Sequence, residues 1–295
     1  MVDAHDAREW SMGDAAAYLR APVADDDKYS RGVVGVRTGS DTYPGAAVLG
    51  VEAACRAGAG MVRYLGPRRA SEFVLHRRPE VVTAHGRVQA WVTGSGMDVA
   101  ARPAPVTAVL RHIAAGALPV VIDAGALDLA PDASAPVVVT PHASEHAALR
   151  RRIGLDDATP KSDDARAAQA AETAAAIGVA VLLKGAVTIV ATPSGWTTRV
   201  SSGTAWLATA GTGDVLAGAL GALVAAAQAR READGGTLDA EALGPLAATA
   251  AWVHGRAGAI AAERNGGGRG TGPITALDVA DALPAAIAAV LATPE

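Results

Sequence analysis

The segment Ala210-Gly211-Thr212-Gly213-Asp214-Val215-Leu216-Ala217-Gly218 joins glycines, a hydroxyl and a carboxylate to an apolar run in which Leu216, Leu220, Leu223 and Val224 recur at helical spacing. A glycine-rich turn opening into a helix offers unpaired main-chain N–H groups and the positive end of the helix dipole. That setting suits a phosphate or a developing negative charge. Gly211 and Gly213 let the main chain approach an anion with no side chain in the way. Asp214, in the first turn, is either an ordinary cap or a general base poised over that anion. Lys184-Gly185-Ala186-Val187-Thr188 lies between two β-branched runs and can place an ammonium and main-chain donors on phosphate. In Thr140-Pro141-His142-Ala143-Ser144-Glu145, His142 suits a helix cap and Glu145 the residue that completes a capping arrangement. Gly39-Ser40-Asp41-Thr42-Tyr43-Pro44-Gly45-Ala46-Ala47 also enters a helix, and Gly45 and Ala46 permit close contact with a ligand.

The elements that must position these residues alternate. Short β-branched runs fall at 33–36, 61–65, 90–93, 119–123, 136–140, 180–184, 187–192 and 197–200. Between most of them lie alanine-rich stretches of helical length, at about 45–57, 100–114, 163–177, 213–229, 242–262 and 276–291. Continuous apolar runs suit a parallel sheet covered on both faces, so the pattern predicts a doubly wound α/β fold. Only Pro193-Ser194-Gly195 separates the last two runs, which predicts an antiparallel hairpin at one edge. Residues 230–238 and 265–272 read as loops. The expected organisation is a flexible N-terminal arm over 1–27, ending in Asp25-Asp26-Asp27, and one domain over 28–295. Ligands of open α/β sheets bind beyond the carboxyl ends of the strands, where Gly94-Ser95-Gly96 and Asp123-Ala124-Gly125 join the junctions above.

Composition removes other classes. The chain has 295 residues, a net charge of −4 and 50% hydrophobic residues, which argues against disorder and against nucleic-acid binding by bulk charge. Cys55 is the only cysteine, so no internal disulfide and no cysteine-based zinc site can form. The longest uncharged apolar stretch, 215–229, is short of the roughly 20 residues that span a bilayer. Asp3, Asp6, Glu9 and Asp14 precede any apolar run, unlike a signal peptide, and the cytoplasm is the expected compartment.

Taken in order, Gly39-Ser40-x-x-Tyr43-x-Gly45-Ala46-Ala47, Gly58-Ala59-Gly60, Asp123-Ala124-x-Ala126-Leu127, Thr140-Pro141-His142-x-x-Glu145, Leu183-Lys184-Gly185-Ala186-x-Thr188 and the Gly211–Gly218 element resemble the ADP- or ATP-dependent NAD(P)H-hydrate dehydratases of the ribokinase-like superfamily. His254-Gly255-x-Ala257-Gly258 and Ala276-x-Asp278 fit as well. The resemblance implies a ribokinase-like sheet and nucleotide-driven dehydration of the S epimer of hydrated NADH or NADPH. It also implies Mg²⁺ on the nucleotide, a cytoplasmic homotetramer, and no nucleic-acid or membrane partner. By the same resemblance, Ala46, Gly96, His142 and Asp214 line the hydrated nicotinamide nucleotide, with Asp214 catalytic. Lys184, Gly185, Ala186, Val187, Thr188, Gly211, Thr212 and Gly213 contact ADP or ATP, and Glu145 helps organise metal-bound water.

The chain departs from the family pattern at Asp98, where a glycine is usual, at Ser144 in the His-Pro-Gly-Glu element, and at Thr204 in the segment before the glycine turn. Strand one ends in Val36-Arg37-Thr38, where small apolar residues are commoner. The epimerase that often accompanies the family is not expected within the residues before Lys28. Two other readings stay open on the residues: a kinase of a vitamin-precursor alcohol of the hydroxymethylpyrimidine or thiazole type, and a catalytically weakened nucleotide-binding protein.

Overall fold

A strand that is apolar along its whole length must be covered on both faces. The computed structural model, which describes residues 7–292, does this with one nine-stranded sheet. The strands are β1 (Arg8–Glu9), β2 (Val33–Arg37), β3 (Met61–Tyr64), β4 (Ala90–Thr93), β5 (Val120–Ile122), β6 (Val137–Val139), β7 (Ala180–Leu183), β8 (Thr188–Ala191) and β9 (Thr197–Val200). Their order is β1-β9-β8-β7-β6-β5-β4-β2-β3, and only β8 runs against its neighbours. All eight strand-like runs are strands, and the hairpin β8–β9 turns at Gly195, whose φ of 92° suits a glycine.

The helices are α1 (Met12–Ala16), α2 (Pro44–Arg56), α3 (Arg68–Arg77), α4 (Ala104–Ala114), α5 (Ala143–Arg152), α6 (Asp163–Ile177), α7 (Thr212–Ala233), α8 (Ala240–Asn265) and α9 (Ala276–Leu291). Because side chains alternate along a strand, Val121, Val138, Leu182 and Val190 enter a core with α2, α7, α8 and α9. Val120, Val137, Val139 and Val181 enter the opposite core, with α4 and α6. Among the described residues α7 is the one helix long and apolar enough to cross a membrane. At 22 residues it exceeds the 215–229 stretch on which the length argument rested, and it lies inside the first core.

The expectation of a flexible arm over 1–27 is corrected from Ala7 onward; residues 1–6 lie outside the described residues. β1 pairs in parallel with β9, and Trp10 is buried edge-on to Trp196 and beside Tyr18. A tryptophan buries a large apolar area, which outweighs the acids around it. Those acids are themselves engaged: Asp14 forms a capping box with Ser11, and Asp26 accepts from Arg20 and from the Val23 amide. Part of the expected 230–238 loop is the last turn of α7.

α2, α3 and α9 are joined by a buried charge. The Glu52 carboxylate is wholly enclosed and accepts from Arg56, Arg77 and Arg78, while Asp281 of α9 takes a second bond from Arg56 at 2.7 Å. Burial alone would raise the Glu52 pKa, but the three arginines hold it below the usual carboxylate value. Breaking such a buried pair costs about 3–5 kcal/mol. Glu52→Gln, followed by urea unfolding at pH 7, is expected to lose an amount in that range. A loss below about 1 kcal/mol would mean that the arginines are satisfied by solvent instead.

Candidate active site

Because all strands but β8 run the same way, the polar junctions after β2, β4, β5, β6 and β7 reach one edge of the sheet. Their meeting point is Asp123, directly after β5 and almost wholly buried. One of its oxygens accepts from Lys184 Nζ at 2.9 Å and from Thr140 Oγ1 at 2.7 Å, and the other accepts from Ser95 Oγ at 2.9 Å. Three strand ends therefore converge on one carboxylate. Ala124 next to it has φ 43°, the only positive value on a non-glycine among the described residues. Such backbone strain is tolerated where the surroundings hold it. Gly94 is obligatory here, with φ 100° and a position at which a Cβ would collide with the Asp123 carbonyl.

Lys184 also lies 3.9 Å from Glu145 Oε2. The loop behind it is held from α6 by Arg166, which donates to the Val187 carbonyl at 2.7 Å and the Lys184 carbonyl at 3.3 Å. A Cβ on Gly185 would strike that guanidinium. Gly185 and Ala186 are exposed, Val187 is partly buried, and Thr188 opens β8.

Gly211 begins α7 with φ 90° and no side-chain cap. The Thr212 hydroxyl is engaged by the preceding segment, its one hydrogen shared between the Leu207 and Thr209 carbonyls, each at 2.9 Å. The Thr212 carbonyl is held at 2.9 Å by His254 Nε2 of α8, a buried ring kept neutral, since burial and then the Lys184 charge lower its pKa to about 4 against the pull of that carbonyl. Gly213 faces Lys184: a Cβ on it would stand 3.4 Å from the ammonium. Asp214 follows, half-buried. Burial first, then the Asp123 charge, push its pKa up to about 7, with Lys184 opposing. A carboxyl in that range can exchange a proton near neutrality.

Ala46 is buried in the first turn of α2, against Gly96. Gly96 has φ 68°, and a Cβ there would stand 2.5 Å from Ala46 Cβ and 2.9 Å from the Tyr43 carbonyl. His142 is the N-cap of α5, its ring accepting from the Glu145 amide at 3.3 Å while Glu145 accepts from the His142 amide at 2.8 Å. Ser144 fits this turn with negative φ and bonds His142 Nδ1 at 2.9 Å. Asp98 turns its carboxylate onto the Ala100 amide at 3.0 Å. Beside Gly96 opens a cleft of about 440 Å³ at the ends of β2, β3 and β4. It lies where the strand order reverses around β2, the usual place for a ligand in such sheets.

The structure thus brings Lys184, Gly213, Asp214 and Glu145 around Asp123, and sets Ala46 against Gly96 beside the cleft. The sequence placed Asp123 at a strand end but gave it no task, and Ser95, Thr140 and Arg166 carried none either. Position at a strand's carboxyl end was the available signal for the first three; Arg166, inside α6, had no signal.

Fold and site define a ribokinase-like α/β protein whose uncapped glycine turn leads into a carboxylate able to hold a proton near neutrality. The NAD(P)H-hydrate dehydratase family model matches residues 34–280, and the chain belongs to that family. It is 43% identical over 267 residues to the bifunctional NAD(P)H-hydrate repair enzyme of Mycobacterium leprae, covering 86% of this chain and 51% of that protein. It is 35% identical over 244 residues to the ADP-dependent (S)-NAD(P)H-hydrate dehydratase of Xanthomonas campestris, covering 71% of this chain and 79% of the relative. The crystal structure of the ADP/ATP-dependent NAD(P)H-hydrate dehydratase from Bacillus subtilis, co-crystallized with ATP/Mg²⁺, matches with a TM-score of 0.77 at 25% identity, over 97% of this chain and 99% of that one. The chain spans about half the length of the bifunctional relatives it matches.

The raised Asp214 value has a measurable consequence. Its folded-state pKa of about 7 lies above the ordinary 3.8, so its stabilising contribution is complete below pH 3.8 and is lost as pH rises through 7. Wild type is therefore expected to lose stability relative to Asp214→Asn between pH 5 and pH 8, at up to about 1.4 kcal/mol per pH unit. Urea melts of both proteins at the two pH values check this; an unchanged difference would show that Asp214 titrates as an ordinary surface carboxylate.

Proposed function

We propose that this chain uses ADP or ATP to dehydrate the S epimer of hydrated NADH and NADPH, returning the intact dinucleotide. The observation that carries the reading is the Asp214 carboxylate, its pKa pushed up to about 7, at the uncapped start of α7 beside the Lys184–Asp123 pair. The nucleotide's phosphates would rest on the main chain of Gly211–Gly213 and the loop Lys184–Thr188, with the Lys184 ammonium neutralising their charge. The hydrated ring would lie against Ala46, Gly96 and His142, its hydroxyl toward Asp214. Asp214 accepts the hydroxyl proton as that oxygen attacks the terminal phosphoryl group, and the bond from phosphorus to the nucleotide breaks. The amides of the first turn of α7 stabilise the charge that gathers on the phosphoryl oxygens. Phosphate is a far better leaving group than hydroxide. It then departs from the ring carbon with the C–O bond's electrons, a neighbouring carbon gives up its proton to the departing phosphate or to water, and the ring double bond re-forms.

Among the described residues no three His, Cys, Asp or Glu side chains gather into a metal cage. Mg²⁺, which commonly binds one or two carboxylates together with substrate phosphates, needs no such cage. Glu145, at the start of α5, is the carboxylate that would help hold it together with the nucleotide's phosphates, and it would supply charge neutralisation on the nucleotide. Homo-oligomeric assembly and cytoplasmic operation belong to the same reading. The departures at Asp98 and Ser144 do not weaken it, since Asp98 caps Ala100 and Ser144 supports His142.

The test is hydrated NADH with ADP or ATP and Mg²⁺, following the return of dihydronicotinamide absorbance. Asp214→Asn is expected to lose about 10²–10⁴-fold in kcat with the fold retained. In the wild type, kcat/KM is expected to rise with pH to a plateau above about 7, where Asp214 is ionised. A stable phosphorylated alcohol in place of phosphate and NADH would assign a kinase instead.

A further inference from the structure

Arg37 ends β2 at the wall of the 440 Å³ cleft, and nothing in the reaction described above uses it. Its guanidinium is half-buried. One terminal nitrogen donates to the Leu65 carbonyl at 2.6 Å, while Nε is buried without a hydrogen-bond partner. Burial pulls its pKa below the ordinary value, and the one ionisable group acting against that is the phenol of Tyr64. No carboxylate of the described residues pairs with it. A cation taken out of water without a counter-ion is costly unless a ligand supplies the anion.

The other charges of the cleft are engaged or open to water. Arg102 is held by both oxygens of Asp128 at 2.9 and 2.8 Å. Asp98 is turned to the Ala100 amide, and Asp41 is exposed at the mouth. Arg37 is thus the uncompensated charge of a cavity with room for a nucleoside phosphate. The cavity adjoins the ring site: a Cβ on Gly96 would stand 3.2 Å from the Cα of Gly39, which lines the cleft. A planar guanidinium fork matches phosphoryl oxygens.

We propose that Arg37 is a specificity residue that binds a phosphoryl group of the dinucleotide substrate, in the cleft beyond the nicotinamide ring. This rests on the dinucleotide reading above. The phosphoryl group is either the pyrophosphate, common to NADH and NADPH, or the 2′-phosphate of NADPH.

The experiment titrates the full chain, with ADP and Mg²⁺ present, with NADH and with NADPH, following dihydronicotinamide fluorescence in wild type, Arg37→Gln and Arg37→Lys. Arg37→Gln is expected to weaken binding about tenfold or more, and Arg37→Lys, which keeps the charge but not the fork, by less. Its melting temperature is expected to be no lower than wild type, since the change removes a desolvated charge. If Arg37→Gln nonetheless melts early, the Arg37→Lys comparison decides. An equal loss for both dinucleotides assigns the pyrophosphate, and a loss confined to NADPH assigns the 2′-phosphate. Unchanged affinity for both overturns the proposal, as does a wild type that binds neither. Hydrate turnover is scored separately: turnover with affinities insensitive to Arg37 removes this assignment alone, whereas Arg37-dependent binding without turnover removes the repair reading alone.

Discussion

Three carboxylates, Asp123, Glu145 and Asp214, surround one ammonium at the carboxyl edge of this sheet, and the unequal way Asp123 and Asp214 draw on it organises the site. Asp123 takes Lys184 at 2.9 Å together with two hydroxyls, so its charge is compensated where it is buried. Asp214 receives the remainder: burial, the repulsion of Asp123 and only the long-range pull of Lys184. Asp123 thus holds Lys184 in place, while Asp214, its pKa pushed up to about 7, is free to take up and release a proton. Environment divides the roles of two chemically identical groups: one is tied up by an ammonium and two hydroxyls, and the other is left, among the described residues, without a hydrogen-bonded cation.

The pair works only if α7 starts where it does. Gly218 sets that position: a Cβ there would run into the Gly50 carbonyl of α2. The two helices therefore meet main chain to main chain. The same contact fixes α2, whose first turn carries Ala46, relative to α7, whose first turn carries Asp214. A core poor in aromatic residues permits this close approach. His254 completes the support by clasping the Thr212 carbonyl from α8. The start of α7 and the first turn of α2 are consequently parts of one closely packed layer.

Much of this was legible in the residue pattern. Period and length located eight strands, because fully buried strands are unbroken apolar runs, and six helices, because alanine-rich stretches of that length have little alternative. α3 escaped notice, and α5 was read only at its cap, His142 with Glu145, since both helices bury few apolar residues and are rich in arginine; in α5 the buried set is His146, Leu149 and Arg150. β1 and α1 escaped for a different reason: acids dominate the local composition, whereas Trp10 decides the packing. Within the site, each glycine-bearing junction could be read locally. The meeting of Asp123 with Ser95, Thr140 and Lys184 could not, as these residues come from separate strands and are joined only by the order of the sheet. Arg37 was visible as an unusual residue at a strand end, but its lack of a counter-ion is a property of the folded wall around it.

β1 is two residues long, yet it changes what the far side of the sheet offers to other molecules. It lies along β9, with the Trp10 amide on the Arg199 carbonyl, Thr198 Oγ1 on the Arg8 carbonyl, and Glu9 accepting from the Ser201 amide and hydroxyl. Bare, β9 would expose a row of unsatisfied main-chain groups, a ready template for strand addition and aggregation. The N-terminal segment thus acts as a selvage: by finishing the hem of the sheet, it keeps one molecule from being stitched to the next.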